Sequence, residues 1–148
     1  MLRKIETVDR PDLEPIENPS QVSGFQSPAG DYEQERLNIL HRLITDPTNT
    51  FFFEASSDEM SLFGIKCGTI LVVNRSFTPR GGMIVIVWTD GKWLVRQLVM
   101  HGHKLFLTNG QEQEKPLEVN EQNGDIIWGV VTWSCSPQLE VKKYVRTR

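Results

Sequence analysis

The sequence predicts a mostly β domain of curled antiparallel sheets, preceded by one short helix and an extended N-terminal arm. Three observations carry this. Short apolar runs rich in β-branched and aromatic residues recur from Thr50 to Trp133. They are separated by Gly, Pro and Asp-Gly punctuation at spacings too short for β-α-β units. Helical spacing of apolar residues occurs in only one segment.

Taken in order, residues 1–30 hold Pro11, Pro15, Pro19 and Pro28, with acids between them and isolated apolar residues such as Leu13, Ile16, Val22 and Phe25. Such a segment buries too little surface to offset its ordering entropy, so an extended, mobile arm is expected. It is also too short and too proline-broken for a helix-turn-helix unit. Asp31, with Gln34 three residues on, suits a capping box, and Glu33 and Glu35 favour the positive end of a helix dipole. Leu37, Leu40, Leu43 and Ile44 form an apolar stripe, and Asp46-Pro47 stops the helix. That stripe is expected to pack against a sheet. Strands are expected at Thr50–Ala55, Thr69–Val73, Met83–Trp88, Trp93–Leu98, Lys104–Thr108 and Ile126–Trp133, with a hairpin at Asp90-Gly91. The domain so defined runs from 31 to 148 and ends in a polar tail; no internal repeat is visible.

Composition narrows the function. The 148 residues suit one compact domain plus a tail, with 39% apolar and 24% charged residues. A net charge of −3 disfavours direct, sequence-specific DNA binding, and the basic residues Lys142, Lys143, Arg146 and Arg148 read as a solvated tail. The longest apolar run, Met83–Trp88, is far below membrane-spanning length, and no apolar core follows Arg3, Lys4 and Glu6 to make a signal peptide. Cys67 and Cys135 without a secretory signal favour reduced thiols in a cytoplasm. His101 and His103 flank Gly102 and fit a turn better than a metal site; no metal or cofactor is expected.

Two motifs make the reading specific. Gly24-Phe25-Gln26-Ser27-Pro28-Ala29-Gly30-Asp31-Tyr32 resembles the Gly-Phe-x-Ser-Pro-Ala-x-Asp-Tyr segment of the UmuD branch of the LexA/UmuD self-cleaving family. Phe53-Glu54-Ala55-Ser56-Ser57-Asp58-Glu59-Met60 resembles that family's nucleophile segment, Ser-Gly-Asp-Ser-Met. Gly64-Ile65, Gly68, Ile70–Val73, Asp90-Gly91 and Trp128-Gly129-Val130-Val131 fall in step, so the resemblance runs from about Gly24 to about Trp133.

The resemblance implies a serine nucleophile and a neutral lysine base that cut the protein's own arm just before a glycine, stimulated by a RecA filament on single-stranded DNA. The corresponding bond is Ser23-Gly24. The dyad positions, however, align with Glu59 and Arg96. Glutamate has no hydroxyl, and its attack on an amide would pass through a strained anhydride. Arginine stays protonated and cannot act as the base. A degenerate, non-cleaving site is therefore expected. The opposite charges admit a salt bridge, the alternative being two side chains pointing to solvent along an open cleft. A second alternative keeps the chain an enzyme, with Ser57 as displaced nucleophile and Lys66 or Lys92 as base. The partners implied by the resemblance are a second copy or a UmuD-type paralogue, a Y-family translesion polymerase, and the RecA–single-stranded DNA filament.

Overall fold

The computed structural model describes residues 2–5 and 38–139. Eight strands form one antiparallel sheet: β1 (Leu2–Ile5), β2 (Thr50–Ala55), β3 (Ile70–Asn74), β4 (Ile84–Thr89), β5 (Lys92–His101), β6 (Lys104–Thr108), β7 (Leu117–Glu118) and β8 (Ile126–Cys135). Their order across the sheet is β1-β2-β3-β8-β4-β5-β6-β7. The mostly β, curled antiparallel architecture expected from the sequence is thus observed.

Curling follows from β4. Its side chains alternate between faces as any strand's must, yet both faces are covered. Ile86 joins one core with Phe53, Ala55, Met60, Leu71, Val73 and Val95. Val85 and Val87 join a second with Leu98, Leu107 and Val130. A flat sheet could not bury both faces of a middle strand without other layers, so the sheet wraps around itself. Two irregularities help it bend. Register shifts fall between Val72 and Val73 where β3 meets β8, and between Ile86 and Val87 where β4 meets β8. At the second bend, a Cβ on Gly129 would lie 2.6 Å from Val73 Cγ1, so glycine is what leaves room for the Val73 side chain against the β8 backbone. The β4–β5 hairpin turns through Asp90 and Gly91, both at positive φ (48° and 71°), as a two-residue primed turn requires.

Three sequence expectations need amendment. The helix is present over 38–43, and Ile44 N–H still bonds Leu40 C=O at 2.8 Å. Of its apolar stripe, Leu40 is exposed. Leu43 and Ile44 are half-buried. The remainder of the expected helix, 31–37, lies outside the described residues, as does the polar tail from 140 on. Within the arm expected over 1–30, residues 2–5 are extended but tied down: they pair along the edge of β2. The sheet also gains β7, a two-residue strand beside β6.

An aromatic cluster closes the first core. Phe53, Trp93 and Trp128 meet pairwise edge to face at 5.4 Å, and Phe51 meets Trp128 at 4.9 Å. Arg75 stacks over Trp128 at 4.5 Å, and its Nε donates to the Trp128 carbonyl. The outer edge next to this cluster is β1, where Arg3 and Lys4 supply the charges that discourage edge-to-edge association.

Candidate functional site

The site is assembled from the connection between β2 and β3, the middle of β5, and the connection after β6. β2 ends at Ala55, and the chain then loops through Ser56–Asp58 into a short 3-10 turn at Ser61–Phe63. Met60 pins the loop: its side chain is buried in the first core, and its carbonyl accepts from Phe63 and Ile65 N–H. Asp58 Oδ1 accepts the Cys67 N–H at 2.9 Å, and Gly68 N–H returns to the Ala55 carbonyl at 2.7 Å. Glu59 is therefore held at the rim by a buried neighbour, with its side chain 43% exposed.

Arg96 lies opposite, in β5. Strand alternation puts it on the face of Leu98, with Val85 as its cross-strand neighbour. Its residue is only 5% exposed, so its charge must be compensated. Nη1 donates to Glu59 Oε2 at 3.3 Å and to the Val95 carbonyl at 2.8 Å. Nη2 donates to Glu114 Oε1 at 3.4 Å. The other Glu114 oxygen accepts from Asn109 Nδ2. Asn109 is itself buried, and its side-chain oxygen accepts the Gln111 N–H. Gln111 in turn donates to the Glu59 carbonyl at 3.4 Å. One guanidinium thus ties three segments together through two carboxylates.

Electrostatics follow the geometry. Burial alone would raise the Glu59 carboxyl, but nearby positive charge, the Arg96 guanidinium included, outweighs it and holds Glu59 below its ordinary value. Chemically, the cluster binds charge to charge; neither side chain at its centre offers a hydroxyl nucleophile or a proton acceptor of lysine type.

The structure brings Glu59 and Arg96 together. Ser57 is half-buried in the loop, whereas Lys66 and Lys92 are both exposed and lack the apolar enclosure a lysine base needs. Ser23 and Gly24 lie outside the described residues. His101 ends β5 and His103 follows Gly102 in the β5–β6 turn, where the His101 ring packs edge to face on Phe106. Among the described residues no group of three or more His, Cys, Asp or Glu side chains could hold a metal ion, and no helix is long and apolar enough to cross a membrane. Glu114 and Asn109 escaped the sequence reading. Their segment, Asn109-Gly110-Gln111-Glu112-Gln113-Glu114, looks like any polar turn, and only the fold shows which acid turns inward.

Fold and site together define a small curled β domain with a polar cleft between the β2–β3 loop and β5. The chain belongs to the Peptidase S24-like family, whose model matches residues 20–132. It is similar to protein ImpA of Escherichia coli, 40% identical over 78 residues, which cover 53% of this chain and 54% of ImpA. It is 32% identical to protein MucA of Escherichia coli over 114 residues, 76% of this chain and 77% of MucA. The LexA repressor of Shewanella piezotolerans is 30% identical over 77 residues, 52% of this chain and 37% of that protein. The chain thus spans about half the length of the ImpA relatives it matches (54%).

Proposed function

We propose that this chain is a non-self-cleaving, UmuD-like interaction subunit of the SOS response and translesion DNA synthesis. The observation that carries the proposal is the contact between Glu59 and a buried Arg96 at the two positions the sequence pattern aligns with the family's serine and lysine. Self-cleavage needs a hydroxyl that attacks the arm's carbonyl and a neutral amine that takes its proton. At Glu59 no hydroxyl is available, and the Arg96 guanidinium keeps its proton. The ion pair also occupies each group with the other. On this reading the protein works by binding, as a homodimer or as a heterodimer with a cleavable UmuD-type paralogue, in the cytoplasm. Its further partners are a Y-family polymerase and the RecA–single-stranded DNA filament, and no DNA sequence is read directly. The resemblance to the UmuD branch and the similarity to ImpA and MucA support this choice of partners.

The test is incubation of the purified chain with RecA, single-stranded DNA and a nucleotide, followed by mass measurement. The intact mass is expected to persist. A fragment beginning at Gly24 that Ser57→Ala abolishes would establish the displaced-serine enzyme instead. In parallel, Glu59→Ser with Arg96→Lys restores the family's reactive groups and is expected to gain cleavage at Ser23-Gly24 if the cleft has kept its geometry.

A further inference from the structure

Two kinds of strand pairing occur in this sheet. β4 and β5 are joined by Asp90 and Gly91, whose backbone conformation imposes the pairing. β1 and β2 have no such link, since residues 6–37 and the helical segment 38–43 lie between them in sequence. Chain connectivity therefore does little to select this edge, and side-chain recognition must do it. The register sets Leu2 against Ala55, Arg3 against Glu54, Lys4 against Phe53 and Ile5 against Phe52.

That recognition has a readable pattern. Leu2 is buried as a member of the first core, the apolar cluster that also holds Phe53, Ala55, Met60 and Ile65. Two residues on, and so on the same face of the strand, Lys4 Nζ stands 5.1 Å from the Phe51 ring centre and 5.2 Å from that of Trp128. Between them, Arg3 reaches Glu54 at 3.5 Å as an exposed ion pair, which contributes little to affinity. The receiving surface is built mainly from β2 and the loop after it, with Trp128 of β8, and β5 also touches β1.

We infer that the edge of β2 is a peptide-binding groove that takes an extended segment by strand addition, and that residues 2–5 of the same chain are its resident ligand. Main-chain bonds along β2 hold any extended segment; the apolar core at the Leu2 position selects an apolar residue, and the Phe51–Trp128 shelf selects a cation two positions later. The groove ends at Ala55, where the loop carrying Glu59 begins, so its occupant lies beside the cleft. The inference is independent of whether the chain cuts itself.

The test uses the full chain. Leu2→Asp with Lys4→Glu places a charge in the apolar core and an anion over the ring faces, which should release β1. The probe is a fluorescently labelled synthetic peptide of sequence Leu-Arg-Lys-Ile-Glu-Thr, read by anisotropy. The variant is expected to bind it at least ten times more tightly than the wild type, whose groove is filled. A peptide carrying the same two changes should not bind. Hydrogen exchange should show β2 amides losing protection in the variant and regaining it with the unmodified peptide. The inference is overturned if the variant loses β2 protection yet ignores the peptide, or if wild type and variant bind equally. It is also overturned if both this variant and the milder Leu2→Ala, Lys4→Ala pair unfold the whole domain, because β1 would then be a constitutive part of the fold.

Discussion

β3 and Arg96 are both deep in the sheet, but they are held there by different physics. Four of the five residues of β3 are buried, Leu71, Val72 and Val73 among apolar neighbours, and its flanks are paired to β2 and β8. Each contact there is non-directional, so the loss of one leaves the others in place. Arg96 is as buried as its apolar neighbours, yet its position rests on Glu59, Glu114 and its own residue's neighbouring carbonyl. Those contacts are interdependent. Loss of one acid leaves the guanidinium a partner, whereas loss of both strands a charge that water barely reaches. The apolar centre therefore behaves additively and the cleft does not.

Three measurements would break or sharpen that contrast. The largest effect belongs to the centre. Ile86→Ala removes a fully buried side chain from the first core and should destabilise by about 2–5 kcal/mol in urea unfolding. The cleft should show smaller single effects with strong coupling. Glu59→Gln and Glu114→Gln, both acids being 43% exposed, should each cost about 1 kcal/mol or less. Together they should cost about 3 kcal/mol, well beyond the sum, because Arg96 is left without a countercharge. Additive costs would show that Arg96 finds water instead, and the cleft would then differ from the centre only in degree.

The smallest effect is the pH dependence. Glu59 titrates lower in the folded protein than in the unfolded chain, so the folded state prefers its charged form. Its contribution is complete above the ordinary carboxylate range and is lost as pH falls through that range and below it. Urea midpoints of wild type and Glu59→Gln should therefore converge on acidification and separate towards neutrality. Glu114 faces the same guanidinium, so the comparison is best repeated with Glu114→Gln to isolate the share of Glu59. A gap that stayed constant with pH would mean that Glu59 acts through packing rather than charge.

Much of the centre was legible because local rules and tertiary packing agree there. Thr50–Ala55 and Lys104–Thr108 are strands with the bounds the sequence suggests, and the Asp90-Gly91 turn sits where it should. The edges were not legible. Leu2–Ile5 carries two charges in four residues, and Leu117–Glu118 is only two residues long, so neither shows a strand period. The helix was legible as a helix, but not how far its stripe is covered: spacing records which residues share a face, and of these Leu40 is exposed while Leu43 and Ile44 are half-buried. At the site, opposite charges at Glu59 and Arg96 suggested a contact, while Glu114 gave no signal. Its role depends on a turn after β6 bringing residue 114 back to β5, a long-range fact that no local pattern encodes.

The place of β8 in the sheet has a kinetic consequence. It pairs with β3 through Val130–Cys135 and with β4 through Ile126–Val130, and so joins two groups of strands that are otherwise separate in the sheet order. Among the described residues it is also the last strand to be synthesised. Before it emerges, β2–β3 and β4–β7 can form only as separate ribbons, with the facing edges of β3 and β4 unsatisfied for the seconds that translation takes. Closure by the final strand makes folding a late, non-local event, slow for a chain of this size, and sets a window in which those two edges are open to wrong partners.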